Sequence, residues 1–126
     1  MACTVSKTPL VMRRLVELGV TLTVCPYSNV RLGVFATLDD VPLRALLDAG
    51  IAVTINSDDP TYFGGYIADN FRGVSAALQL NEDDLYRLSA YAIGGCFAET
   101  SRKFELMAEL DRVFDDFEAG AAPIHL

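Results

Sequence analysis

The chain has 126 residues, 52% of them hydrophobic and 21% charged, which is enough for one domain with a real core and too little for two. Its formal net charge of −7 repels phosphate, which excludes a nucleic-acid backbone or an anionic membrane surface as a natural partner and leaves small neutral ligands easy to accept. The three cysteines, Cys3, Cys25 and Cys96, are odd in number and form no CxxC pair, which argues against a disulfide framework or a cysteine zinc site.

The opening MACTVSKTPL has no apolar leader-like run, and no stretch is long enough to span a membrane, so a soluble, cytoplasmic protein is expected. Thr8 and Pro9 make a helix start, and Val11, Leu15 and Leu18 follow at helical spacing until Gly19. VTLTVCP is a β-branched run closed by Pro26, the pattern of a strand buried on both faces of a parallel sheet. The segment YSNVRLGVFATLDD then reads as a long loop. Asp39 or Asp40 is the expected cap of a helix holding Pro42, Leu43, Leu46 and Leu47 and ending at Gly50. A second buried strand, IAVTIN, leads directly into two adjacent acids, Asp58 and Asp59.

Beyond Ile67 the pattern is helical. Ile67, Phe71, Val74 and Leu78 form one apolar stripe, Asn81 with the following EDD starts a helix carrying Leu85 and Leu88, and Ser101 begins a last one with Phe104, Met107, Leu110, Phe114 and Phe117. Asp115, Asp116 and Glu118 read as a solvated helix face. Residues 118–126 lack a pattern and are expected to fray, with His125 solvated in that tail.

Strand, helix and strand within about 35 residues is the size of a βαβ unit, so the two strands are expected to be parallel. Parallel strands end on one side, which places Asp58 and Asp59 at the same sheet edge as Pro26, Ser28 and Asn29, with both loops lining one pocket. Adjacent acids before a proline read first as turn and N-cap residues, with a metal or substrate site as the alternative, since α/β proteins keep their chemistry at strand C-termini. Gly64 and Gly65 either approach a ligand closely or make a turn. Cys25 and Cys96 read as small core residues. Two parallel strands are too few for an independent sheet, so the pattern is that of part of a larger barrel or sheet.

LTVCPYSNVRLGVF, PLRALLDAGIAVTINSDDPTYFGGY and the NF that follows closely resemble the C-terminal part of the adenosine and adenine deaminase family, zinc-dependent (β/α)8-barrel aminohydrolases. The match is strongest over residues 9–110, and YFGGY looks more like the bacterial adenine deaminase branch. The resemblance implies an α/β fold, a C-terminal fragment of a (β/α)8 TIM barrel made of its last two parallel strands with their helices plus C-terminal helices. Residues 1–126 would then be a partial deaminase-like domain. It implies Asp58 as the zinc ligand and Asp59 as the acid that hydrogen-bonds a purine ring nitrogen. The zinc would lower the pKa of a bound water toward about 7, and hydroxide would displace ammonia from the amino-bearing purine carbon. Adenine would become hypoxanthine, or adenosine inosine, as in purine salvage.

The same family carries an H-x-H pair, an H-A-G-E segment and a further histidine, none of which stands in this sequence. Its only histidine is His125. Zn2+ needs about three protein ligands in a catalytic site, so the isolated chain is expected to be inactive, with no catalytic histidine or glutamate of its own. Two expectations follow from different classes. Either a companion chain or longer parent supplies the rest of the barrel for a purine base or nucleoside, or the chain is an inactive relic that binds a partner or itself through helices. Open strand edges predict self-association in both cases.

Overall fold

The computed structural model describes residues 8–118. Helix α1 spans Pro9–Leu18 and closes at Gly19, whose left-handed φ of 65° lets its N–H reach Leu15 and Val16 carbonyls. Strand β1, Leu22–Val24, is followed at once by helix α2, Pro26–Arg31. A 3-10 turn, Leu38–Asp40, precedes helix α3, Leu43–Asp48, which leads to strand β2, Val53–Ile55. Four helices complete the described chain: α4 Pro60–Phe63, α5 Ile67–Leu78, α6 Glu82–Gly95 and α7 Thr100–Glu118. Among the described residues, no helix is long and apolar enough to cross a membrane. His125 and the rest of the tail after Glu118 lie outside the described residues.

The strands pair in parallel, Leu22 beside Val53, Thr23 beside Thr54 and Val24 beside Ile55. Leu22 N–H donates to the Ala52 carbonyl and Asn56 N–H to that of Val24, both at 2.8 Å. Side chains alternate along a strand, so Leu22, Val24, Val53 and Ile55 share one face. That face meets Leu43, Leu46 and Leu47 of α3, Val74 of α5 and Leu88 of α6, and together with Ile51 these form the core.

Three sequence expectations need correction in this region. Strand β1 is not buried on both faces: Thr23 is exposed, and with Thr21, Thr54 and Asn56 it lines an open groove of about 480 Å³ that Phe97 borders. The β-branched run conceals this, because threonine and valine share the same backbone preference but not the same side of the sheet. Nor do Asp39 and Asp40 cap α3. They sit in the 3-10 turn, where Asp40 reaches back to accept from Thr37 N–H at 3.3 Å. Pro42 forces Val41 into an extended conformation, ψ 123°, which ends one turn and delays the helix to Leu43. The supposed loop after β1 opens as helix α2 because Pro26 occupies a first helical position, where its missing N–H is harmless.

Helices α3 and α6 are joined by charge as well as by packing. Arg44 binds both carboxylate oxygens of Asp84, which is 4% exposed, while Asp84 and Asn81 cap each other across the start of α6. Arg87 adds a bond of 2.7 Å to the Leu47 carbonyl at the end of α3. Helix α7 rests on α6 through Tyr86, whose ring meets Phe114 edge-on and whose hydroxyl donates to Asp111 at 2.6 Å. No residue of α7 or α1 is fully buried, and Phe104 remains 73% exposed.

The Arg44 hydrogen bonds hold Asp84 below the usual carboxylate range, against the opposing effect of burial. A depressed folded pKa stabilises above the unfolded value of about 3.9 and loses that contribution as pH falls through the lower folded value. Asp84→Asn is expected to lower stability at pH 7 by about 1–3 kcal/mol. In urea unfolding the gap between variant and wild type should narrow steadily from about pH 5 downward.

Candidate functional site

Because β1 and β2 run parallel, the segments that follow them leave the sheet at one edge. From β1 come Cys25, Pro26, Tyr27, Ser28 and Asn29; from β2 come Asn56, Ser57, Asp58 and Asp59. Ser28, buried, donates from Oγ to Asp58 Oδ2 at 2.9 Å, so the expected meeting of the two loops is observed. Asp58 itself is exposed and adopts φ 57°, in the left-handed region that a non-glycine residue enters only at some cost. Gln79, the other described non-glycine residue with such a φ, closes helix α5; Asp58 closes no helix.

The two acids diverge. Asp59 caps α4, its Oδ1 accepting from Thr61 N–H at 3.1 Å and Tyr62 N–H at 3.2 Å. The turn-chemistry role open to the pair in the sequence is thus filled by Asp59, while its Oδ2 has no protein partner among the described residues. Asp58 turns instead across the edge toward the β1 loop. Burial first, and then the Asp58 charge, push the Cys25 thiol up, so Cys25 stays protonated at neutral pH and is neither a ready nucleophile nor a ready metal ligand. Cys96 is half-buried and donates its thiol to the Ile93 carbonyl.

Tyr27, Val30 and Arg31 from the first loop and Phe63 from the second line a cleft of about 270 Å³ together with Leu38. Residues of α2 and α4, the helices that follow the two strands, border this cleft, but neither acid is among its lining residues. The two glycines divide their roles. Gly64 ends α4 with φ 78°, and Gly65 is buried against Tyr27. A residue that sequence reasoning gave no role is Asn70, fully buried on α5, whose Oδ1 accepts from Tyr27 N–H at 3.1 Å. The signal was an amide set within the apolar stripe of Ile67, Phe71 and Val74.

Among the described residues, no three His, Cys, Asp or Glu side chains stand close enough together to hold a metal ion. Asp58 is a single carboxylate with one oxygen already engaged by Ser28. The described residues therefore do not by themselves fit a zinc ion, which needs about three protein ligands in a catalytic site.

A parallel βα unit with acids and polar loops gathered at the C-terminal strand edge is the arrangement by which (β/α)8 barrels carry their sites. The profile of the family described as "Adenosine deaminase" matches residues 4–113, and the chain belongs to that family. It is 49% identical over 98 residues to an adenine deaminase of Crocosphaera subtropica, covering 78% of this chain and 30% of that protein. It is 42% identical to one from Chlorobium luteolum, covering 93% of this chain and 33% of the relative. The crystal structure of an adenine deaminase from Arthrobacter aurescens superimposes with a TM-score of 0.83 at 41% identity, over 86% of this chain and 33% of that one. The chain thus spans about a third of the length of these relatives, and its fold is that of the matching C-terminal portion of a TIM barrel.

The left-handed backbone separates the two acids experimentally. Asp58→Gly relieves it and Asp58→Ala does not, so the glycine variant is expected to be more stable than the alanine variant by about 1 kcal/mol in urea unfolding. Asp59→Ala should lower stability by about 1 kcal/mol through loss of the cap, while Asp59→Asn, an equally good cap, should leave it nearly unchanged.

Proposed function

We propose that this chain contributes the two acids of a hydrolytic adenine deaminase site, which converts adenine to hypoxanthine and ammonia, or adenosine to inosine. Asp58 is the carboxylate that faces the metal, and Asp59 is the acid that hydrogen-bonds a purine ring nitrogen. The observation that carries this reading is Asp58 itself: an exposed carboxylate held in a left-handed backbone at the C-terminal strand edge and tied to Ser28. Local strain that serves no helix end or turn glycine is the mark of a position kept for its side chain. Asp59 fits the second role because its cap uses only Oδ1, leaving Oδ2 for a ligand.

Adenine deaminases of known sequence and structure that are 41–49% identical to the chain support the substrate class. The Zn2+ that such chemistry uses requires histidine ligands and a proton-shuttling glutamate beyond the described residues, so no step of the reaction is assigned to this chain acting alone. Asp58 and Asp59 complete a site whose other groups stand on the strands that the chain does not span. The setting is cytoplasmic purine salvage.

A second reading has its own support. The sheet has two strands with both outer edges unpaired among the described residues, neither α1 nor α7 is fully packed, and Phe97 is wholly exposed. These features favour an inactive, self-associating module.

Adenine turnover, followed by ultraviolet absorbance with zinc supplied, distinguishes the two. The chain alone is expected to be silent. Mixed with the portion of the Crocosphaera subtropica enzyme that it does not match, it should gain activity that Asp58→Ala abolishes and Asp59→Asn reduces by about 100-fold or more. Activity that survives Asp58→Ala refutes the assignment. Material that stays inactive with that complement present, and still sediments as concentration-dependent oligomers, establishes the second reading.

A further inference from the structure

Beyond the Ser28–Asp58 bond, the segment that follows β1 is joined by a second connection to the α4–α5 turn and to α5. Tyr27, the residue before Ser28, is held by its backbone and by its side chain. Its N–H donates to Asn70 Oδ1 at 3.1 Å, and its hydroxyl donates to the Asp69 carbonyl at 2.9 Å. Asn70 Nδ2 donates in turn to the Tyr66 carbonyl at 3.0 Å and more weakly to that of Gly65. The amide orientation is fixed by its partners, since Tyr27 N–H needs an acceptor and the Tyr66 carbonyl a donor.

The ring of Tyr27 fits where only glycine leaves space. A Cβ at Gly65 would stand 2.6 Å from the ring, and one at Gly73 would stand 2.8 Å from it and from its hydroxyl. Tyr27 is thus seated against the turn between α4 and α5 and against α5 itself. Asn70, with no exposed surface, ties both layers together. An unpaired buried amide would cost about 1–3 kcal/mol, so the network is made in full or lost as a unit.

We infer that Asn70 and Tyr27 are positioning residues, which lock the β1 loop to the α4–α5 turn and so hold Ser28 against Asp58. The inference rests on the reading of Asp58 as a site residue, and it adds the element that keeps Asp58 in place. Without the clamp, one bond of 2.9 Å from Ser28 is the only side-chain link between the Asp58 carboxylate and the β1 loop among the described residues. A single such bond contributes about 0.5–1.5 kcal/mol, too little to fix two loops. The clamp also accounts for the sequence GGY followed by Asn70 and Gly73: Gly64 makes the turn, Gly65 and Gly73 make room for Tyr27, and Asn70 closes it.

Amide hydrogen exchange on the full chain tests this without any need for catalysis. The reporters are the Tyr27 and Asn29 amides on one loop and the Phe63 and Gly64 amides on the other, which bond to Asn70, Cys25, Asp59 and Pro60 respectively. Asn70→Ala is expected to speed exchange at all four by about tenfold or more, while Leu22, whose N–H bonds the Ala52 carbonyl, and Leu88 keep their protection. Equal acceleration everywhere would show that Asn70 only supports the fold. Acceleration confined to Tyr27 would show that the loops are not coupled. Either result overturns the inference.

Tyr27→Phe keeps the ring in place and removes one hydroxyl, so it stays folded even if Asn70→Ala unfolds. It should give the same four-site pattern at smaller amplitude, and a Phe variant with all four amides unchanged counts equally against the clamp. Failure of the deaminase reading is seen separately, as adenine turnover insensitive to Asp58→Ala, and does not alter the exchange pattern.

Discussion

The parallel pairing of β1 with β2 is the constraint on which everything else in this chain depends. A parallel ladder requires a crossover, and α3 supplies it while burying Leu43, Leu46 and Leu47 against the apolar side of both strands. The same geometry puts both strand ends at one edge. Ser28 and Asp58, thirty positions apart, meet there only because Val24 stands beside Ile55 and each strand leaves the sheet in the same direction. A slip of one residue would turn Val53 and Ile55 out of the core and carry Asp58 away from Ser28 together. Packing and site geometry are therefore fixed by one register.

The helices that follow hold this edge from behind. Asp84 is nearly buried with both oxygens on Arg44, and its placement at the start of α6 lets one carboxylate cap a helix and bridge to another. Helix α5 acts in the same way through Asn70. In each case a polar group stands within an apolar interface, and each is fully partnered, as the low dielectric of a core demands. The outer helices α1 and α7, by contrast, contribute amphipathic faces without a single fully buried side chain. The molecule is thus firm around the two strands and unfinished at its margins, as suits a chain spanning about a third of its relatives' length.

Much of this was legible in the sequence, and the parts that were not share a physical cause. The strands, the parallel crossover, the helices over Ile67–Leu78 and Glu82–Gly95 and the proximity of Ser28 to Asp58 follow from hydrophobic period and chain length alone. The start of α3 was misplaced because Asp39 and Asp40 are strong caps in isolation, and the effect of Pro42 on Val41 overrides them. The two-sidedness of β1 was hidden by threonine, which has the shape of valine and the polarity of a surface residue. Asn70 was missed because a lone amide in an apolar stripe shows nothing of its long-range partner, which lies 43 positions away at Tyr27. What local pattern cannot reveal is contact across the chain.

The division of labour between the adjacent acids also follows from backbone geometry. Neighbouring residues in extended chain project to opposite sides, so Asp58 and Asp59 could not both face one ligand from a continuing strand. The left-handed kink at Asp58 breaks the extended path at that point, sending its carboxylate across to Ser28 while Asp59 begins the next helix. Proline at position 60 then fixes that helix start, because it suits the first helical position and needs no N–H partner. The Asp58–Pro60 step thus serves the backbone turn and the placement of a carboxylate at once. Substituting either acid would therefore alter the fold locally as well as the chemistry, and the glycine and asparagine variants separate those effects by keeping the backbone role while removing the charge.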